Sequence, residues 1–351
     1  MNRTLSRSMM LMLLLCLGLA LYLLFVPEAR AQTLVSTLDL NGVPCQVQAP
    51  LPQDYPSQAA AYRCPLLDKK TLKASRDALP YGALGIPDPQ GLKWEYDTSG
   101  VYMMDKVFNP GAAYPWRIDL KTGALRAADE GSEEVLKAIH RDDSPYFWDS
   151  STARVTKTLY SQDNVPGIPG ATYADSKAAL QRAAAALDIT LGTPHTIEVC
   201  EVEGGQPLYY IRSTALVGGL PLMVGRSNKG WQGNGSDVPL PCFMVFGQQG
   251  VVEICLPLTG AYTAAGAPQR VLSPQEALQA LEKGWDEPAC DMRGVTIDTI
   301  TLCALGFSKK GNWSYGYDIL PVWRMAGTQT YDDGDFPFDA FIHATDGYLL
   351  K

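Results

Sequence analysis

Three histidines, seven cysteines beyond residue 31 and one knot of aspartates are the side chains with which this chain could do chemistry. His140, His195 and His343 are far apart in sequence, and a metal or acid–base role needs partners that converge in space. The His-Glu-x-x-His of zinc peptidases and the Gly-x-Ser-x-Gly of a nucleophile elbow are both missing from the sequence. The histidines are therefore expected as ordinary surface or half-buried residues. "KTG" (121–123) also occurs in penicillin-recognising enzymes, but those need Ser-x-x-Lys, and no serine here has lysine at +3. That stretch and "DTSG" (97–100) are expected as turns. "GWQGNG" (230–235) lacks the strand-to-helix setting that cradles phosphate. In "YDDGDFPFD", Asp332, Asp333, Asp335 and Asp339 could surround Ca²⁺, a hard ion that takes about 6–8 oxygens. Their spacing misses the Asp-x-Asp-x-Asp-Gly loop, so a solvated acidic turn is expected, and no cofactor.

The cysteines point to disulfides instead of metal, since none lies in a Cys-x-x-Cys. In "PCFMVFGQQGVVEICLP", Cys242 and Cys255 are equidistant from Gln248-Gln249. If those glutamines form a hairpin tip, the two cysteines face each other across the ladder and are expected to bond. Cys45 and Cys64 are the next expected pair, from proximity alone. The binding candidates lie in residues 226–241, a long Gly/Ser/Asn loop bearing Trp231 together with Asn228, Lys229 and Asn234. A long loop that exposes a tryptophan is unfavourable unless it contacts something.

The N-terminus sets the compartment. Arg3 and Arg7 precede the uncharged apolar run Met9–Val26, and Ala29-Arg30-Ala31 follows. This is a secretory pattern with cleavage before Gln32, or an uncleaved anchor, since the run just reaches the ~18 residues that span hydrocarbon. Either reading places residues 32–351 outside the cytoplasm. Removing residues 1–31, with three Arg and one Glu, takes the net charge from −8 to −10. So acidic a chain, with its Lys and Arg scattered, is not expected to bind nucleic acid, and it meets a membrane only through the N-terminal segment.

The elements that position these groups fall into three cycles. Residues 66–79 read as a helix, "LKWEYD" with "VYMMDKVF" and "PWRIDLKTGALR" as hairpins, and Ser132–His140 as a short helix. Thr172 and Asp175 open a second helix, followed by strands through Leu256. Ser273, Pro274 and Glu276 open a third, with Ala277, Leu278 and Leu281 as its buried stripe, and strands again follow to the end. The turns "IDLKTGALR", "VFGQQGVVE" and "IHATDGYLL" share an apolar–Gly–apolar spacing, which suggests repeated modules. In the last, Tyr348–Leu350 is expected to pair with Phe341–Ala344, with Leu349 facing the Ser273 helix.

The third cycle, through "SPQEALQAL", "YGYDILPVWRM" and "FIHATDGYLL", resembles the PepSY domain, one helix packed on an antiparallel sheet. The second is similar over "YYIRSTALVGGLPLMV" and "VFGQQGVVEI". The exported region as a whole looks like the secreted Gram-positive regulators of the YycH/YycI type. The resemblance implies an α+β fold of repeated helix-on-antiparallel-sheet modules, a binding role and no catalytic residues. The expected organisation is a signal peptide or anchor at 1–31, an N-terminal module at 32–141, a linker at 142–171, and PepSY-like modules at 172–262 and 263–351. The expected function is a non-enzymatic envelope protein that recognises a protein partner, such as a sensor-kinase ectodomain or a protease. The competing classes are an envelope hydrolase whose site assembles only in three dimensions and a solute- or Ca²⁺-binding protein.

Overall fold

The computed structural model describes residues 32–64, 69–88, 94–97, 104–107, 116–121, 124–140, 151–193, 195–223, 242–287, 291–307 and 317–350. The fold is α+β and strand-rich. Among the described residues no helix is long and apolar enough to cross a membrane.

One sheet has nine strands, all antiparallel. Its order is β5 (Trp94–Asp97), β6 (Met104–Val107), β7 (Trp116–Lys121), β8 (Ala124–Asp129), β16 (Gly250–Pro257), β15 (Cys242–Gly247), β12 (Leu208–Ser213), β11 (Thr196–Val202) and β9 (Val155–Tyr160). The second has eleven. Its main path is β10 (Thr190–Leu191), β13 (Ala215–Val217), β14 (Leu220–Met223), β19 (Met292–Phe307), β20 (Tyr317–Tyr331), β21 (Gly334–His343) and β22 (Leu349–Leu350). To this path β1 (Thr33–Leu40) and β2 (Val43–Pro50) add on β19, while β4 (Tyr62–Cys64) and β17 (Thr263–Ala264) add on β20. A separate pair joins β3 (Gln58–Ala59) to β18 (Gln269–Arg270).

The sheets cut across the expected module boundaries. β1 and β2 belong with the C-terminal strands, and β8 pairs with β16. Residues 142–171, expected as a linker, contain the edge strand β9. β1 and β2 form a hairpin. Asn41-Gly42 turns it with positive φ at both residues, the two-residue hairpin that Asn-Gly favours.

Among the described residues five helices accompany the sheets: α1 (Lys69–Asp77), α2 (Tyr81–Leu84), α3 (Glu133–His140), α4 (Tyr173–Ala186) and α5 (Pro274–Gly284). The starts of α4 and α5 are as expected. Thr172 with Asp175, and Ser273 with Glu276, form reciprocal capping boxes that satisfy otherwise orphaned amides. Ala277, Leu278 and Leu281 of α5 are buried. Ala179, Leu180, Ala183 and Ala184 of α4 are buried too, in a core that also takes Leu125 and Met244 from one sheet and Val47, Ile297 and Trp323 from the other. The chain end is as expected: Phe341 pairs with Leu350 and Ile342 with Leu349, and Leu349 lies against Gly284 of α5.

β19 and β20 pair along a long antiparallel ladder with two register shifts, one at Met292–Gly294 near its end and one further along. A bulge between Ile297 and Thr299 shifts their register by one residue. Val295 and Ile297 face the core before it, and Ile300, Leu302 and Ala304 face the same core after it. The extra residue re-phases the strand so that one side stays apolar. Gly327 sits opposite, where a Cβ would collide with the Thr296 carbonyl oxygen.

A second bulge corrects the disulfide expectation. The turn at Gln248-Gln249 exists, with Gly247 opposite Gly250, but the register shifts between Val245 and Phe246. Cys255 is therefore opposite Phe243, and Cys242 instead pairs with Ser213. The two cysteines lie on opposite faces of the sheet, in different apolar clusters. Cys242 and Cys45 are thiols, so neither Cys242–Cys255 nor Cys45–Cys64 is bonded. Burial pushes both thiols up to about 12; the Glu282 charge adds to this at Cys45. At pH 8 a thiol reagent is expected to label Cys45 and Cys242 only after denaturation, and peptide mass spectrometry without reductant should recover neither linkage. Recovery of a Cys242–Cys255 peptide would refute the bulged register. Gly327→Ala is expected to destabilise by about 3 kcal/mol, the upper end for overpacking, read as a lower urea midpoint. An unchanged midpoint would mean that the bulge relaxes freely.

Candidate functional site

All three histidines are buried, contrary to expectation, and each serves a different environment. α3 covers the outer face of the nine-stranded sheet. Leu136 and Ile139 pack there on Cys200, Tyr210, Phe243, Val245 and Cys255. His140 ends this helix at 2% exposure, and its Nε2 lies 2.6 Å from Oε2 of Glu253, which is 0% exposed. Arg126 of β8 donates through Nε and Nη2 to the other carboxylate oxygen, both at 2.6 Å. The edges of Tyr210 and the tilted ring of Phe243 enclose the imidazole. Lys157 of β9 donates to the Ile139 carbonyl at 2.9 Å and satisfies the end of the helix.

A His–Glu pair at this distance is the arrangement of an acid–base dyad. Here both carboxylate oxygens are committed and neither residue reaches solvent, so the pair acts as a tether for α3. Burial alone raises the Glu253 carboxyl, but the His140 hydrogen bond and the Arg126 charge outweigh it and hold it below the usual range. Such buried pairs add little net stability but fix one geometry, because losing one partner strands a charge. The sequence signal was a lone carboxylate inside the apolar run "VVEICLP".

His195, at the start of β11, has Nδ1 3.0 Å from the Ser213 hydroxyl. Burial, then the Lys177 charge, pushes its pKa down. His343 of β21 accepts the Asp346 amide at 3.2 Å and stacks on Tyr348, with ring centres 4.7 Å apart. Asp332, Asp335 and Asp339, three of the four aspartates of residues 332–339, have partners of their own. Arg293 grips Asp332 with two bonds of 2.6 and 2.7 Å, Thr330 donates to Asp335 at 2.7 Å, and Arg324 donates to Asp339 at 2.6 Å. Among the described residues, no group of three or more His, Cys, Asp or Glu side chains could hold a metal ion.

The outer face of the eleven-stranded sheet is different. Strand alternation places Cys303 and Leu305 of β19 beside Leu320 and Val322 of β20, with Phe341 of β21, Leu350 of β22 and Met223 of β14 around them. The first four are buried; Met223, Phe341 and Leu350 are half-buried over them, and Tyr348 is 41% exposed. Ion pairs Arg63–Asp318 (3.0 Å) and Arg324–Asp339 (2.6 Å) border the patch. Burial, followed by the charges of Asp346 and Asp318, raises the Tyr348 phenol, so it remains a neutral donor. The patch thus has an aliphatic and aromatic centre inside an arginine-bearing rim.

Trp231, Asn228, Lys229 and Asn234 lie outside the described residues, as do Trp313 and Tyr315. The stretch that carries Trp231 leaves from Met223, which pairs with Leu305 on this same face. Sequence reading placed the candidate on that stretch and missed the sheet face beneath its point of departure.

No protein-family model and no curated protein matches the chain. An uncharacterized protein from Eubacterium rectale is 12% identical with a TM-score of 0.58, over 91% of this chain and 93% of its own. The overall fold is therefore shared with that protein over nearly its whole length. The Bacillus megaterium YpeB C-terminal domain matches at 8% identity and a TM-score of 0.29, over 82% of this chain and 97% of its own, too weakly to carry an argument.

Glu253→Gln is expected to destabilise by about 3 kcal/mol at pH 7, the low end for a broken buried pair because Arg126 keeps some access to water. The carboxyl ionises more readily in the folded state than in the unfolded chain. Its contribution is thus complete above the ordinary glutamate pKa of about 4.3 and fades as pH falls through the lower folded value. Urea midpoints of wild type and variant should converge as the pH is lowered from 7 to 3; equal midpoints at pH 7 would remove the tether.

Proposed function

We propose that this chain is an exported, non-catalytic recognition protein of the bacterial envelope, and that the outer face of its eleven-stranded sheet binds a protein partner. The partner class is a sensor-kinase ectodomain or an envelope protease. The observation that carries the reading is the half-buried cluster of Met223, Phe341 and Leu350 with the exposed Tyr348, bordered by two arginine–aspartate pairs. Apolar side chains gathered on one rimmed face are what an interface centre needs. The loop of Trp231, Asn228, Lys229 and Asn234 belongs to the same proposal, since the chain enters it from Met223.

The secretory pattern of residues 3–31 supports an extracytoplasmic location, with the membrane met only through that segment. The unit of α5 laid against β21 and β22, closed by the Thr345-Asp346-Gly347 turn, supports a PepSY-like C-terminal module. The histidines support recognition over hydrolysis. Each is engaged in its own surroundings: His140 with Glu253, His195 with Ser213, His343 with Asp346.

Photocrosslinkers placed at Phe341 and Tyr348 in the native envelope are expected to capture one protein partner. Phe341→Asp should weaken its binding by about 2 kcal/mol, roughly thirtyfold, as for a central aromatic anchor. Capture that is indifferent to Phe341→Asp, or no capture alongside tight Ca²⁺ binding by calorimetry, would overturn the reading.

A further inference from the structure

The open side of β1 differs from the other long sheet edges. The Leu51 amide donates to the Gln32 carbonyl at 2.7 Å, and the register runs from Thr33 opposite Pro50 to Leu40 opposite Val43. The backbone groups of residues 34, 36, 38 and 40 therefore face β2, and those of Thr33, Val35, Thr37 and Asp39 face outward. The outward amide of Asp39 is taken by Glu282 Oε1 of α5 at 2.9 Å, as this alternation requires. The outward groups of Thr33, Val35 and Thr37 have no partner among the described residues.

Two other edges carry devices that discourage pairing. In β9, the Glu203 amide donates to Arg154, so Lys157 is turned outward. In β21, the His343 amide donates to Tyr348, so Asp335, Pro337 and Asp339 are outward: two acids and a residue without an N–H. Residues 32–38 of β1, "QTLVSTL", hold neither a charge nor a proline. Val35, at the centre of the open groups, is 74% exposed.

We propose that β1 pairs with β1 of a second copy, antiparallel about a two-fold axis through Val35, and so joins two eleven-stranded sheets edge to edge. The axis sets Val35 opposite Val35 and Thr33 opposite Thr37. Every outward amide and carbonyl of the three residues then finds a partner, and β-branched side chains meet on the solvent face. Asp39, its amide committed to Glu282, lies beyond the paired residues. The occupant is a second copy because the open groups are centred on one residue, as an isologous contact requires, and the neutral segment meets itself without repulsion. Two short strands bury less than the ~1,000 Å² of a stable interface, so the dimer depends on concentration. It uses the sheet's edge, not its outer face, and stands independently of the partner proposed above.

The test uses residues 32–351, which contain every strand and helix described. By sedimentation velocity, the coefficient is expected to rise from monomer to dimer with concentration. Val35→Pro removes the central outward donor and leaves the β2 ladder intact; Val35→Lys puts like charges at the axis. Both should weaken dimerisation at least about tenfold while the melting temperature holds. Val35→Cys places two thiols in a hydrogen-bonded pair with Cα atoms about 5.5 Å apart, within disulfide reach, so mild oxidation should give a covalent dimer. A monomer at all concentrations, a dimer indifferent to Lys, or no covalent dimer from Val35→Cys would each overturn the proposal.

Discussion

The eleven-stranded sheet depends on one misfit residue pair. Alternation along β19 fails at Ile297–Thr299, where an extra residue is absorbed, and it is this failure that keeps a single face apolar along the strand. Without the bulge, Ile300, Leu302 and Ala304 would turn to the outer face and Cys303 and Leu305 to the core. The core under α5 and the apolar patch on the other side are thus set by the same backbone irregularity. Gly327 makes it possible, because no side chain can stand that close to the Thr296 carbonyl.

The two sheets treat their outer faces in opposite ways. The nine-stranded sheet covers its face with α3 and locks the helix there with Glu253, Arg126 and His140. The cover accounts for the histidine's burial, and the carboxylate accounts for its orientation. The eleven-stranded sheet leaves Phe341, Leu350 and Tyr348 within reach of solvent behind two ion pairs. One apolar face is sealed and the other is left part-open, so further burial would still be favourable only on the second.

Much of the local structure was legible in the sequence. The capping boxes at Thr172 and Ser273 are chemical statements about neighbouring residues, and both helices begin where those residues predict. The closing strand was legible because turn residues and a period of two fix its register, and Leu349 meets α5 accordingly. The Asn41-Gly42 hairpin was equally readable and was passed over. What could not be read was anything decided by one residue of register or by pairing at long range. The bulge after Val245 moved Cys255 to the opposite face from Cys242, and a count of residues to the turn cannot detect it. The role of Glu253 was hidden because its partners come from β8 and α3, more than a hundred residues earlier. The aromatic and aliphatic face was hidden for a similar reason: Met223 meets Leu305 only through the parallel pairing of β14 on β19, and Phe341 joins them through β21 on β20.

β2 lies parallel to β19, with Cys45–Val47 against Val295–Ile297. That pairing gives the molecule an order of assembly. A chain that leaves the ribosome or a translocon from its N-terminus presents the hairpin of residues 33–50 well before residues 292–307. The apolar side of that hairpin, Val43, Cys45, Val47 and Ala49, has no strand to join until residues 292–307 arrive. Closing so long a loop is slow, and parallel pairing between distant segments adds to the delay. An element made early is therefore locked late, and its place in the core closes only once residues 292–307 have been made.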